Sequence, residues 1–285
     1  MNDELPRQAG GAATTPGSGA DATPPTQGRA VRRRWDWLRR LAAARRLGRA
    51  EAVFLAGLAA FAVLALLAKV NAYFAWDRSV ARAVQSIPLP GMETLMRAVS
   101  YPGDGVTSWV IVGVALAFFF ARGRRSEAFG LLLCTVGGPT LNRLLKYLIA
   151  RPRPTMENVR VSGYWAHESF PSGHVTFYVC FFGFLFFVAF ALLPKGSAAR
   201  RVACALAALP VLLVGLSRVY LGAHWPSDTL GAYLFSGLWL VFSLDVYRRW
   251  KRRATFHTEE GARAEVEEAA GGGGVGARAQ RDGLE

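Results

Sequence analysis

Cysteine is scarce in this chain, with Cys134, Cys180 and Cys204 the only three in 285 residues and none in CxxC spacing. That excludes a disulfide framework or a cysteine zinc site. All three fall inside apolar runs, where thiolate formation is disfavoured, so they read as small packing residues. Acidic residues are few as well, 20 Asp and Glu against 34 Lys and Arg, for a net charge of +14. Histidine occurs four times, so imidazole chemistry has few candidates. A secretory signal peptide is not expected: the first apolar run starts near residue 52, is long, and lacks a convincing small-residue cleavage site.

Apolar residues are abundant instead, at 52% of the chain, a pairing with high net charge that is unusual for a soluble domain of this size. The two properties occupy different stretches. Runs long enough to cross a hydrocarbon core, which takes roughly 20 helical residues, recur through the middle. Six spans are expected, at 52–70, 106–121, 128–148, 175–193, 203–221 and 230–246. The third and fifth are interrupted near their ends by Asn142, Arg143 and Lys146 and by Ser217 and Arg218. The fold class is therefore all-α, a polytopic membrane protein built as a bundle of six transmembrane helices.

Basic residues orient the bundle. Arginines crowd 32–49; Arg122, Arg124 and Arg125 follow the second span, Lys195, Arg200 and Arg201 the fourth, and Arg248, Arg249, Lys251, Arg252 and Arg253 the sixth. With six spans all four clusters share one face, which the positive-inside rule makes cytoplasmic, so both termini are expected inside. Asp77, Glu93 and Asp104 balance Arg78, Arg82 and Arg97 in the long loop on the other face. The domain plan is a disordered tail at 1–30, a basic amphipathic juxtamembrane segment at 31–50, the six-span domain at 51–247, and a basic then disordered tail at 248–285. In the basic segment Trp35, Trp37, Leu38, Leu41 and Leu47 interleave with arginines, as in a helix lying on anionic membrane lipids. Because the run abuts a span, lipid is the expected partner and nucleic acid is not.

Three polar patches stand at the span ends: Lys146 with Arg153-Pro154, then Pro171-Ser172-Gly173-His174, then Ser217-Arg218 with His224 and Asp228. Charge beside a span is expensive and is seldom kept without a use. The span count brings all three patches to the same outer face. Phosphoryl transfer needs a cradle for the phosphoryl oxygens, an in-line nucleophile and an acid for the leaving oxygen. Lys146 supplies a point charge, Arg153 and Arg218 planar forks, and Ser172 and Gly173 a hydroxyl and a backbone N–H at a helix entrance. His224, hydrogen-bonded to the Asp228 carboxylate, would attack phosphorus and form a phosphohistidine, and His174 would protonate the departing oxygen. Pro226 lies between His224 and Asp228, so a turn rather than a continuous helix is expected to join them, with Ser227 capping the sixth helix.

These patches, with their intervals intact, resemble the three-part signature of the type 2 phosphatidic acid phosphatase superfamily, the integral-membrane lipid phosphate phosphatases. The signature covers 146–228. The resemblance implies a nucleophilic His224 oriented by Asp228, a general acid His174, and phosphate held by Lys146, Arg153, Ser172, Gly173 and Arg218. It also implies no metal and no other cofactor. Arg151 and Arg153 both precede prolines; the family interval selects Arg153 and leaves Arg151 as an interfacial charge or a second phosphate contact. His167 and His257 lie outside the signature and are expected to face water.

The expected activity is hydrolysis of a lipid mono- or diphosphate, undecaprenyl diphosphate ahead of a glycerolipid phosphate, on the periplasmic face of a bacterial inner membrane. Two alternatives stay open. One is a phosphotransferase of the same lineage passing the group to a lipid or sugar hydroxyl, and the other is a non-catalytic transporter or scaffold with a lipid-phosphate pocket. The lipid and the oligomeric state are left open by the sequence.

Overall fold

A computed structural model describes residues 27–279, with side chains described over 48–253. The expectations for 1–26, for the side chains of the basic segment before residue 48 and for those of the tail beyond 253 lie outside the described residues. Nine α-helices occur in the described chain: α1 (Gln27–Val70), α2 (Ala75–Gln85), α3 (Met92–Ser100), α4 (Gly105–Ala121), α5 (Arg125–Leu132), α6 (Gly138–Ile149), α7 (Gly173–Leu192), α8 (Ala198–Tyr220) and α9 (Pro226–Ala279). No strand occurs among the described residues.

Five segments are long and apolar enough to cross a membrane: Gly48–Val70, Arg125–Ile149, Gly173–Leu192, Ala198–Tyr220 and Pro226–Arg253. Met92–Gly103 and Gly105–Ala121 qualify only together and are bent by 56°, which makes six if the pair is one span. α4 by itself, with 17 residues, is short for a crossing.

The third span is continuous in direction but not in its hydrogen bonding. A π-helical turn, Leu133–Gly137, joins α5 to α6. Pro139 follows it and has no N–H to give to the preceding turn, which is a sufficient local reason for the widened ladder. α7 is the central helix. Half of its span is buried, against 11% for the first span. Val175, Tyr178, Cys180 and Phe184 of α7 pack with Leu131, Cys134, Val214, Ala232 and Tyr247 from the helices around it. Val106, Trp109, Val114 and Phe120 of α4 remain exposed on the bundle's outside, as lipid-facing side chains do.

The loop expected between the first two spans folds into α2 and α3. Met92, Met96 and Ser100 of α3 are buried at four-residue spacing, as are Asp77 and Ala81 of α2, so each short helix turns one face inward. Met92 and Met96 pack on Tyr220 and Leu221 at the outer end of α8. These two helices bring side chains to the site that a loop would have left in water.

Candidate active site

α8 ends at Tyr220, and the chain then reverses. Gly222 has φ of +68°, and a Cβ there would lie 2.1 Å from the Arg160 carbonyl oxygen, so the reversal requires glycine twice over. The N–H groups of Ala223 and His224 close back on the Arg218 carbonyl at 3.0 and 3.3 Å. α9 starts at Pro226, where a missing N–H costs nothing. Asp228 lies in its first turn, where the helix dipole favours a carboxylate, and its Oδ2 accepts the Trp225 N–H at 2.8 Å. A turn therefore joins His224 to Asp228.

Asp228 is fully buried, and its partners are more numerous than the sequence suggests. Arg151 donates to Oδ1 at 2.6 Å and Ser169 to Oδ2 at 2.5 Å. The His224 Nδ1 to Asp228 Oδ2 distance is 3.7 Å, longer than a hydrogen bond, while the Ser169 hydroxyl stands 3.5 Å from the same nitrogen. The direct bond anticipated between them is absent, and Ser169 shares the carboxylate.

Arg151 does not face the cavity. It is buried between Asp228 and Asp77 of α2, 3.0 Å from the latter, and also donates to Ser227 and to the Asn71 carbonyl. An arginine set between two buried carboxylates compensates charges that would otherwise be costly. Ser227 also departs from expectation. Its N–H and hydroxyl both donate to Asp77, at 2.8 and 2.7 Å, so Asp77 caps the helix that Ser227 was expected to cap.

A cavity of about 580 Å³ opens beside this corner. Lys146, Arg153, Gly173, His174, Arg218 and His224 line it, with Asp104, Asn142, Arg143, Trp165, His167 and Glu168. Six of the eight anticipated residues thus meet on one surface. Asp228 lies behind His224. Ser172 is buried at the start of α7, and its hydroxyl has no partner among the described residues. His167 is exposed yet forms part of the cavity wall, a place that its position outside the signature did not suggest.

Three of the four cavity cations are held in place. Lys146 donates to the carbonyls of Glu168 and Ser169. Arg153 donates to the carbonyls of His167 and Ala223 at 2.8 and 2.6 Å, tying the loop before α7 to the turn before α9. Arg218, almost fully buried, donates to Ser100 of α3 at 2.9 Å and stacks over the Trp165 ring at 4.3 Å. Ser217 donates to the Met96 carbonyl and so fixes the same α3–α8 contact. His174 meets Asp104 at 2.8 Å through Nε2, and its ring lies against Gly103, where a Cβ would come within 2.6 Å of Cδ2.

The surroundings of the His224 ring favour its neutral form. Burial, and then the charges of Arg153, Lys146 and Arg218, push its pKa well below the usual 6.5. The neutral ring has one N–H. Arg153 approaches Nε2 at 3.3 Å, and a guanidinium only donates, so Nε2 is the free lone pair and Nδ1–H faces Ser169 and Asp228. The arrangement presents a neutral nitrogen with its lone pair among three cations.

The sequence signature omitted Asp77, Ser100, Asp104, Arg151 and Ser169. The acidic residues of the long outer loop gave a signal and were read as surface balance, and Arg151 was read as an interfacial charge or a second phosphate contact, neither of which is the place it takes between Asp77 and Asp228.

Known proteins resemble this chain in sequence and fold. A family model described as the PAP2 superfamily matches residues 127–252. Phosphatidylglycerophosphatase B of Bacillus subtilis is 31% identical over 190 residues, covering 64% of this chain and 88% of the relative. Lipid A 1-phosphatase of Rhizobium etli is 32% identical over 170 residues, covering 52% of this chain and 68% of the relative. Among solved structures, a transmembrane PAP2-type phosphatidylglycerolphosphate phosphatase from Bacillus subtilis superposes with a TM-score of 0.58 at 26% identity, covering 69% of this chain and 96% of that one.

Proposed function

The chain belongs to the PAP2 superfamily of membrane lipid phosphatases, and from that premise we propose that it hydrolyses a lipid phosphate through a phosphohistidine on His224 at the outer face of a bacterial inner membrane. The observation that carries the reading is the convergence of Lys146, Arg153, Arg218, His174 and His224 on one cavity, with Asp228 directly behind the nucleophile.

In the first step the Nε2 lone pair of His224 attacks phosphorus, the bond from phosphorus to the lipid oxygen breaks, and that oxygen leaves with a proton from His174. Asp104 orients the His174 ring. Lys146, Arg153 and Arg218, with the N–H groups at the start of α7 around Gly173, hold the equatorial oxygens where charge develops. As the His224 ring becomes positive, Asp228 stabilises it across Ser169. In the second step water gives a proton to His174 and attacks phosphorus, the P–N bond returns its electrons to Nε2, and orthophosphate leaves. The candidate substrates are glycerolipid phosphates, with phosphatidylglycerol phosphate supported by the relatives' activities, and undecaprenyl diphosphate.

The test uses purified protein in detergent with phosphatidylglycerol phosphate, phosphatidic acid and undecaprenyl diphosphate, scoring free phosphate against phosphorylated acceptor. Free phosphate is expected, and His224→Ala is expected to lower its release by on the order of 10³-fold or more while lipid phosphate still binds. Undiminished release by that variant would overturn the mechanism. A phosphorylated acceptor in place of free phosphate would reassign the chain as a transferase.

A further inference from the structure

Four cations line the cavity, and three of them are tied down: Lys146 by two carbonyls, Arg153 by the loop and turn it joins, Arg218 by Ser100 and Trp165. The fourth is Arg143. Among the described residues it makes no hydrogen bond, ion pair or ring contact. It is no part of the signature, and nothing in the fold requires it. A guanidinium on a membrane-spanning helix is costly and is seldom kept without a use.

Its position is informative. Arg143 precedes Lys146 by three residues on α6, so the two share a helix face. α6 runs toward the outer end of the bundle, where it stops at Ile149. Arg143 therefore starts roughly 4.5 Å deeper in the membrane than Lys146, at about 1.5 Å per residue. A second cavity of about 220 Å³ adjoins the first; Pro139, Arg143 and Gly173 line both, and Val112 and Phe177, with Trp109 exposed on the flank of the bundle, form its apolar wall. Arg143 thus stands at the junction, between the cavity that holds His224 and an apolar recess on the bundle's flank. Of the two carboxylates on the main cavity, Asp104 is engaged by His174, and Glu168 lies on the loop before α7.

We propose that Arg143 binds a second phosphate of the substrate head group, the one on the lipid side of the group being transferred. The proposal rests on the lipid phosphatase reading above and narrows its substrate class. In a lipid whose head group carries two phosphates the terminal one reacts at His224, and the inner one lies between it and the tail, at the depth of Arg143. A planar fork suits two oxygens of one phosphate. An isoprenoid diphosphate, with one bridging oxygen, and phosphatidylglycerol phosphate, with a glycerol between its phosphates, share this chemistry. A lipid monophosphate offers Arg143 nothing of the kind. Arg143 is then a specificity residue, and it favours two-phosphate head groups.

The experiment compares full-length wild type with Arg143→Gln and Arg143→Lys on tail-matched pairs: farnesyl diphosphate against farnesyl phosphate, and phosphatidylglycerol phosphate against phosphatidic acid. In Arg143→Gln the two-phosphate to one-phosphate ratio of kcat/KM is expected to fall by on the order of 10- to 100-fold for at least one pair, the loss of a hydrogen bond to a charged group. Arg143→Lys restores part of it by keeping the charge without the fork. A fall in one pair alone identifies the phosphate spacing that the site reads. Unchanged ratios in both pairs would overturn the proposal, since an arginine that only anchors its helix at the membrane surface leaves them alone. Calorimetric titration with inorganic diphosphate and orthophosphate needs no turnover: wild type is expected to prefer diphosphate, and Arg143→Gln to lose that preference. If wild type releases phosphate from no lipid, the hydrolase reading fails and the titration alone decides the role of Arg143; equal preference in wild type and variant would then sink it.

Discussion

A nitrogen that attacks an anion, the role proposed for His224, gains from being neutral, and the surroundings of His224 favour that form. Its depressed pKa, caused first by burial and then by Arg153, Lys146 and Arg218, means that the folded ring stays unprotonated as pH falls through the usual value of 6.5. The unfolded ring takes up its proton there. Below pH 6.5 the unfolded state therefore binds more protons at this position, and His224 contributes a loss of stability on acidification that is absent above it. In solution NMR of the detergent-solubilised protein, the ring signals assigned by comparison with His224→Gln are expected to remain those of a neutral imidazole at pH 6. A titration midpoint at or above 6.5 would show the ring to be no more than ordinary. Those parts of the site that keep a fixed interval along the chain were legible at this scale, which is why Lys146, Arg153, Gly173, His174, Arg218 and His224 meet as expected. Ser169 was not legible. A serine two residues before a proline has no spacing rule that points to a carboxylate 59 positions away.

Short helices carry what the signature lacks. α2 delivers Asp77 to Arg151 and Ser227, and α3 delivers Ser100 to Arg218, so the outer segment before α4 acts as a brace on the starts and ends of the helices that bear the site. Hydropathy over roughly 20 residues does not see such helices, because they are too short to span and too polar on one face. Their own periodicity does reveal them: Met92, Met96 and Ser100 on α3, and Asp77 and Ala81 on α2, repeat at four residues. The brace predicts a coupled defect. Asp77→Asn leaves Arg151 with one carboxylate and weakens the cap on α9, and breaking a buried ion pair costs about 3 kcal/mol. Thermal unfolding of the variant in detergent is expected to show a lowered Tm, and kcat on phosphatidylglycerol phosphate to fall about tenfold with KM changed far less, since no cavity-lining cation is touched. Wild-type Tm together with wild-type kcat would mean that the Asp77–Arg151–Asp228 chain has no part in positioning His224.

Across the whole molecule, the parity of the spans decides which side of the membrane sees the cavity. The three patches meet at one end, as an even number of crossings between them requires, and that much followed from sequence alone. The opposite end is marked by Lys251 of α9, 2.6 Å from Glu127 at the start of α5, within the arginine-rich set that the positive-inside rule assigns to the cytoplasm. What hydropathy did not foresee is the 56° bend between α3 and α4. Asn71, just after α1, meets Arg151, and Asp104, just before α4, meets His174, so both stand at the cavity end, while α5 starts at the opposite end beside Lys251; α4 therefore makes the second crossing, and an N-terminus on the side away from the cavity is expected. Cysteine labelling tests the orientation in a background where Cys134, Cys180 and Cys204 are replaced. A cysteine at Tyr164, which is 94% exposed at the cavity mouth, is expected to react with an impermeant maleimide in intact cells, and one at Lys195 only after permeabilisation. Labelling at Lys195 alone in intact cells would invert the orientation and move the substrate to the cytoplasmic leaflet. An N-terminal tag is expected to be protected in the same cells, whereas a tag accessible from outside, with Tyr164 still reactive, would mean that α1 does not cross the membrane.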